Sequence, residues 1–350
     1  MKGTLVRRVT KIVAAGVASA ALALTATACG SSSSSDTSKA KGVGIAYDVG
    51  GRGDHSFNDS AAKGLDKAKA DFSLGTKELT AKNTDTEADR EQKLNDLASA
   101  GYNPVIGVGF AYADSVKAVS KKYPKTTFTI VDSVVDGPNV DSVTFTEEQS
   151  SYLAGVAAAL KTKTNKIGFI GGVDITLIKK FAGGFQQGVK DTKPSATVDI
   201  EYITHGGDLS GFAKPAEGKA KAKGMLDRNI DVIYAAAGSS GAGAIEAVAG
   251  KQGTWAIGVD GDQYLDKGLA QWKNSILTSV IKNVDGSVYD VIKSVKDGKP
   301  MVGSHTYDLK AGGVGLTTSG GFIDDIKTQL DAAKKKIADG TVTVQKTPTS

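Results

Sequence analysis

Three aspartates close short apolar runs: Asp48 follows Ile45-Ala-Tyr47, Asp132 follows Thr129-Ile-Val131 and Asp260 follows Ile257-Gly-Val259. An ionised carboxylate only accepts hydrogen bonds, so it suits a ligand rich in donors, such as sugar hydroxyls or ring N–H groups. Lys282 ends a fourth such run, Ser275 to Lys282, and could donate to a hydroxyl or a ring acceptor, or pair with Asp260. Aromatic residues make up 6% of the chain, so Phe57 and Phe212 stand out, each in a glycine-rich loop. One ring on either side could sandwich a flat heterocycle, with stacking worth about 1–3 kcal/mol per face. Gly-rich turns at Gly107-Val-Gly109, Gly171-Gly172 and Gly238-Ser-Ser-Gly241 would let the backbone approach such a ligand. The chemistry these residues suggest is capture, not covalent transformation. His55, His205 and His305 are far apart, with no metal-ligand spacing among them, and Gly50-Gly-Arg-Gly-Asp-His-Ser56 lacks the Lys-Ser/Thr end of a phosphate loop. No cofactor or metal is expected.

These side chains need a scaffold that brings strand ends together. From Gly42 onward β-type runs alternate with helical ones: strands are predicted at Gly42–Tyr47, Lys77–Ala81, Pro104–Gly109, Thr127–Val131, Lys166–Gly171, Thr197–Ile203, Val232–Ala236, Trp255–Val259 and Ile276–Ile281. Between them fall eight amphipathic segments, among them Ser56–Phe72, whose cap Ser56 could provide, and Glu148–Leu160. Alternation of this kind predicts an α/β fold with parallel, doubly wound sheets whose carboxyl ends share an edge, where ligands bind. Nine strands exceed one small sheet, so two lobes are expected, joined by three hinge crossings. The predicted first lobe is 42–133 plus 262–299 and the second 134–261 plus 300–350. Phe110, Tyr112, Phe181 and Phe185 are read as core.

The first 28 residues differ in kind. Four basic residues precede an Ala/Val/Leu-rich run that ends Leu24-Thr-Ala-Thr-Ala-Cys29, which reads as a secretory signal. Cys29 is the single cysteine, so no internal disulfide can form; its place after small residues predicts lipidation. The mature chain would then hang from the outer face of a cell membrane by a Ser-rich leash, 29–41. The formal charge of +5 loses those four basic residues with the signal and falls to +1, which leaves no electrostatic footprint for nucleic acid. The Lys-rich helix around Lys334–Lys336 reads as a solvated face.

Taken in order, these motifs resemble the basic membrane protein family of bacterial lipoproteins, the nucleoside-binding components of ATP-driven importers. The resemblance is carried by Asp48-Val-Gly-Gly with Asp54-His-Ser-Phe-Asn58, Val108-Gly-Phe-Ala-Tyr-Ala-Asp114, Phe145-Thr-Glu-Glu-Gln-Ser-Ser-Tyr-Leu-Ala-Gly155, Ile257-Gly-Val-Asp260 and Thr278-Ser-Val-Ile-Lys282. It implies a type I periplasmic-binding-protein fold and no enzymatic activity. It also implies a nucleoside, a purine one, whose base lies between Phe57 and Phe212. Asp48, Asn58 and Asp132 would address base or sugar, Asp260 and Lys282 the ribose, with Gly238 allowing close backbone approach. An ABC permease would be the partner, and the binding protein would act as a monomer. The alternatives are a receptor or adhesin with the same architecture, and a nucleoside hydrolase working through clustered aspartates. A repressor of the related fold would need a DNA-reading helix-turn-helix where residues 1–41 carry a signal and a leash.

Overall fold

The computed structural model describes residues 40–349, one compact unit. The predicted signal peptide (1–28), Cys29 and nearly all of the predicted leash lie outside the described residues. The chain runs β1 (Val43–Tyr47), α1 (Phe57–Phe72), β2 (Thr76–Thr80), α2 (Glu87–Ser99), β3 (Val105–Gly107), α3 (Ala113–Lys122), β4 (Phe128–Val131) and β5 (Val140–Phe145). It continues with α4 (Glu147–Lys161), β6 (Lys166–Val173), α5 (Thr176–Thr192), β7 (Thr197–Thr204), α6 (Pro215–Asp227), β8 (Val232–Ala236), α7 (Ser239–Ala249), β9 (Trp255–Asp260) and β10 (Ile276–Lys282). Last come α8 (Val284–Lys296), β11 (Gly303–Tyr307), β12 (Val314–Leu316) and α9 (Lys327–Ala338).

The strands form two six-stranded sheets, in the orders β11-β5-β4-β3-β1-β2 and β12-β10-β9-β8-β6-β7. Every pairing in the first is parallel; in the second only β12 runs against its neighbour, β10. The central strands are buried along their whole length, as expected of parallel sheets covered on both faces. The second face of the first sheet packs Phe128, Ile130 and Val105 on Leu94 and Leu97 of α2 and Val116 and Val119 of α3. The corresponding face of the second packs Ile170, Ile233 and Ala256 on Met225 of α6 and Ile245 of α7. The remaining faces share one continuous core, which also takes in α1, α4, α5 and α8.

Two doubly wound parallel lobes joined by three crossings are thus as expected, but the crossings sit elsewhere. Val140–Phe145, expected in the second lobe, pairs with β4 in the first sheet. β10, expected in the first lobe, pairs with β9 in the second, and β11, expected in the second, pairs with β5 in the first. The chain therefore crosses between β5 and α4, between β10 and α8, and between β11 and β12. Helix α8 lies with the first lobe, where Lys63 meets Asp285 at 2.6 Å and the rings of Phe72 and Tyr289 pack 5.5 Å apart. Strand β5 escaped the sequence reading because it follows Gly137-Pro138 and carries Asp141, which is nonetheless fully buried. Strands β11 and β12 are short and largely polar or glycine-bearing, so neither shows an apolar run.

Candidate functional site

β1 brings Asp48 to the first wall of the cleft, where its backbone N–H donates to Asn58 Oδ1 (3.0 Å) and its own Oδ1 accepts from Val49 N (2.7 Å). The glycine loop then returns into α1, but Ser56 does not cap that helix. Asp54 caps it instead, with a carboxylate that accepts from the N–H groups of Ser56, Asn58 and Asp59 at 2.9–3.0 Å and from Asn58 Nδ2 at 2.9 Å. Asn58 is held through both ends of its amide, so it fixes the loop that presents Asp48 and Phe57. Burial pushes the carboxyls of Asp48 and Asp54 up to about 6, against the hydrogen bonds each accepts from the backbone.

The second wall is built from strand ends of the other sheet. Asp260 closes β9 with φ +64°, as Asp132 closes β4 with φ +70°; aspartate is one of the few side chains that tolerate this left-handed turn. Phe212 sits in a 3-10 turn pinned to the start of α7, where Ser240 Oγ donates to Gly211 O (2.7 Å) and Ser239 Oγ to Phe212 O (3.1 Å). Gly238 has φ +56° and ψ −139°, a conformation open to glycine, and a Cβ there would come within 2.9 Å of Phe212 O. Burial also raises the Asp260 carboxyl to about 6, with the Lys282 ammonium opposing it.

Lys282 stands where the second crossing leaves β10. Its Nζ meets Asp132 Oδ2 at 2.5 Å and Glu147 Oε1 at 3.4 Å, and lies 4.9 Å from the Phe57 ring centroid and 5.7 Å from that of Phe181. The lysine thus pairs with Asp132 of the opposite lobe, not with Asp260 as the sequence reading allowed. Burial disfavours the ammonium, yet Asp132, Glu147 and Asp260 together outweigh it and push Lys282 up to about 12. Burial acts the same way on Asp132, raising it to about 6 against the pull of Lys282. At 2.5 Å the two share one proton equilibrium, and the ammonium keeps the pair ionised near neutral pH.

Asp48, Phe57, Asn58, Asp132, Phe212, Gly238, Asp260 and Lys282 all line one crevice. Among the described residues, one oxygen of Asp132 finds no hydrogen-bond partner. Phe110 and Phe181, read as core, also line the crevice, whereas Tyr112 and Phe185 are core residues. Asp54 and Glu147 escaped the sequence reading. Asp54 lies two residues before the expected cap, and the Glu147-Glu148 pair looks like an ordinary acidic first turn of α4. None of the three histidines lines the crevice. Among the described residues, His55, Asp59 and Asp266 lie close enough to share a cation. Their atoms are engaged otherwise: Asp59 accepts from Gly53 N and His55 N, and Asp266 pairs with His55 at 3.0 Å. The lining as a whole offers acceptors from both lobes, one cation and four phenylalanine rings, a set suited to a planar polar molecule.

Residues 41–347 match the family described as Bmp, ABC transporter substrate-binding protein PnrA-like. The chain belongs to the Bmp family. Its relatives include the ABC transporter nucleoside-binding protein BmpA of Lactococcus lactis subsp. cremoris, 39% identical over 315 residues that cover 86% of this chain and 88% of the relative. The CD4+ T-cell-stimulating antigen of Listeria monocytogenes is 38% identical over 317 residues, covering 86% and 87%. Among solved structures, an ABC transporter solute-binding protein from Aeropyrum pernix K1 superimposes with a TM-score of 0.76 at 26% identity, covering 88% of this chain and 94% of that one. This Bmp-family chain is thus an ABC-transporter substrate-binding protein with the type I periplasmic-binding fold. Among its described residues no helix is long and apolar enough to cross a membrane.

Proposed function

We propose that this protein captures a nucleoside, a purine one, between its lobes and delivers it to an ABC permease. The observation that carries this reading is the convergence of Phe57 and Phe212, one from each lobe, on a crevice whose other polar walls are Asp48, Asp132, Asp260 and Lys282. Rings of this kind stack on a heterocycle whatever its pattern of heteroatoms, and the carboxylates accept from ribose hydroxyls and ring N–H groups. The name of the Lactococcus relative supports the same ligand class. Two stacked faces and two or three hydrogen bonds to charged groups, each about 1.5–3 kcal/mol before ordering costs, suffice for the roughly −8 kcal/mol of micromolar binding. Handover needs no covalent step: ligand bridging the lobes favours the closed form by its differential contacts, and the permease reads that form. Cys29 would carry the lipid that keeps the monomeric protein at the outer membrane face beside its transporter.

Isothermal titration of the chain beginning at Gly30 with inosine, guanosine, adenosine, cytidine and uridine tests the ligand class. Saturable heat from the purine nucleosides, with free bases and ribose much weaker, is the expected result; no heat from any nucleoside would refute the reading. Mass spectrometry of the membrane-extracted protein tests the anchor, which predicts a diacylated N-terminal cysteine.

A further inference from the structure

We propose that Gln263, His55 and Asp266 form a latch between the lobes that stabilises the closed form and slows ligand escape. None of the three lines the crevice, so they act through the positions of the lobes and not by touching ligand. Gln263 is 2% exposed, and its own lobe fixes its amide: Oε1 accepts from Val259 N at 3.2 Å, and its backbone N–H donates to Ser279 Oγ at 3.1 Å. Nε2 is thereby left facing the first lobe, where it donates to the carbonyl oxygen of His55 at 2.7 Å. The His55 ring places Nδ1 3.0 Å from Asp266 Oδ1, which is itself oriented by the N–H groups of Gly268 (2.7 Å) and Leu269 (3.3 Å). On the other side, His55 is held in a left-handed conformation, φ +56°, with its N–H on Asp59 Oδ2 at 2.9 Å. The second lobe is shaped to receive this ring, since a Cβ at Gly268 would lie 2.1 Å from His55 Cε1. Ser56 Oγ adds a bond to Asp260 Oδ2 at 2.5 Å beside them.

These contacts join the loop after β1 to the loop after β9, segments distinct from the three covalent crossings. Separation of the lobes breaks them together, so they contribute to the closed form alone. A group that favours only the bound conformation acts on dissociation, while the encounter with ligand is left unchanged. The proposal rests on the nucleoside reading only for the choice of ligand, because closure can be followed without one.

The test uses the chain from Gly30, which has no cysteine, with Lys77→Cys and Lys223→Cys on the exposed flanks of the two lobes for donor and acceptor dyes. Gln263→Glu keeps the acceptor for Val259 N and replaces the cross-lobe donor by an acceptor; Asp266→Asn keeps the capping oxygen and removes the charge. Both should shift the free chain toward lower transfer efficiency. Both should also speed inosine or guanosine dissociation in stopped flow, by about tenfold and about threefold, the scale of one lost hydrogen bond, with association within about twofold of wild type. Wild-type efficiency and dissociation in both variants would overturn the latch. So would equal losses of thermal midpoint and association rate, which would mark the residues as supports of their own lobes. A wild-type chain that binds no nucleoside would sink the function proposed above and leave the latch to be judged on transfer efficiency in the free chain.

Discussion

Asp260 meets both the opposite lobe and the crevice with one carboxylate. One oxygen accepts from Ser56 across the cleft at 2.5 Å, and the side chain lines the crevice from a left-handed turn whose strain is of order 1–3 kcal/mol. Asp260→Ala should therefore weaken nucleoside binding by at least roughly tenfold, the loss of one charge-assisted hydrogen bond. Titration calorimetry reads this directly, and an unchanged dissociation constant would remove Asp260 from the site. The raised carboxyls make a second prediction. Asp48 and Asp260 hold their protons up to about 6 in the folded chain, whereas exposed aspartate loses its proton near pH 3.9. Their neutral forms thus favour folding below about pH 4, and that contribution is lost as pH rises through 6. A ligand that donates to these oxygens favours the ionised forms, so its effect has the opposite sign. Affinity should fall several-fold between pH 7 and pH 5, and binding should release protons near pH 6, seen as heats that depend on the buffer's ionisation enthalpy. A flat affinity profile without proton release would show that the carboxylates are not acceptors for the ligand.

At the scale of elements, the start of α1 shows how the chain prepares a site before any ligand arrives. The helix has no capping bond from Ser56, and the buried carboxylate of Asp54 gathers the free N–H groups of its first turn together with the Asn58 amide. Asp54→Ala should cost about 2 kcal/mol of stability in urea unfolding, the upper range for a lost cap, and Asp54→Asn should recover part of it. Binding should weaken as well, because Asn58 would no longer be oriented toward Asp48 N. A variant of wild-type stability would show that water replaces the carboxylate without loss. The helix itself was legible from its alternation with the strands around it. The capping residue was not, because Asp54 and Ser56 are both competent and the backbone path of the glycine loop selects between them. The same limit applies to β5, whose Asp141 is buried by a tertiary environment that six residues of sequence do not announce.

Over the whole molecule the two lobes repeat one plan, with sheet orders β2-β1-β3-β4-β5-β11 and β7-β6-β8-β9-β10-β12. Asp132 and Asp260 close the equivalent strands β4 and β9, so the repetition brings two aspartates to a common cleft from opposite sides. Lys282 joins the halves, its ammonium buried with Asp132 and Glu147. Lys282→Ala would leave the buried carboxylate of Asp132 without its cation, while Glu147 keeps Lys180 at 3.3 Å, and should cost about 3–5 kcal/mol. The loss should shrink as pH falls through about 6 and Asp132 takes up a proton, which thermal unfolding across pH would register. An equal loss at pH 5 and pH 7 would place the cause in packing and not in charge. From the sequence alone one could read the α/β alternation, the strand ends that carry Asp48, Asp132, Asp260 and Lys282, and the two loop phenylalanines. All of these follow from short-range periodicity and from which residues end an apolar run. Tertiary structure decided which sheet each strand joined, that Lys282 pairs with Asp132, and that Gln263 reaches His55. Each of those depends on partners far apart along the chain, chosen by packing and burial and not by any local pattern.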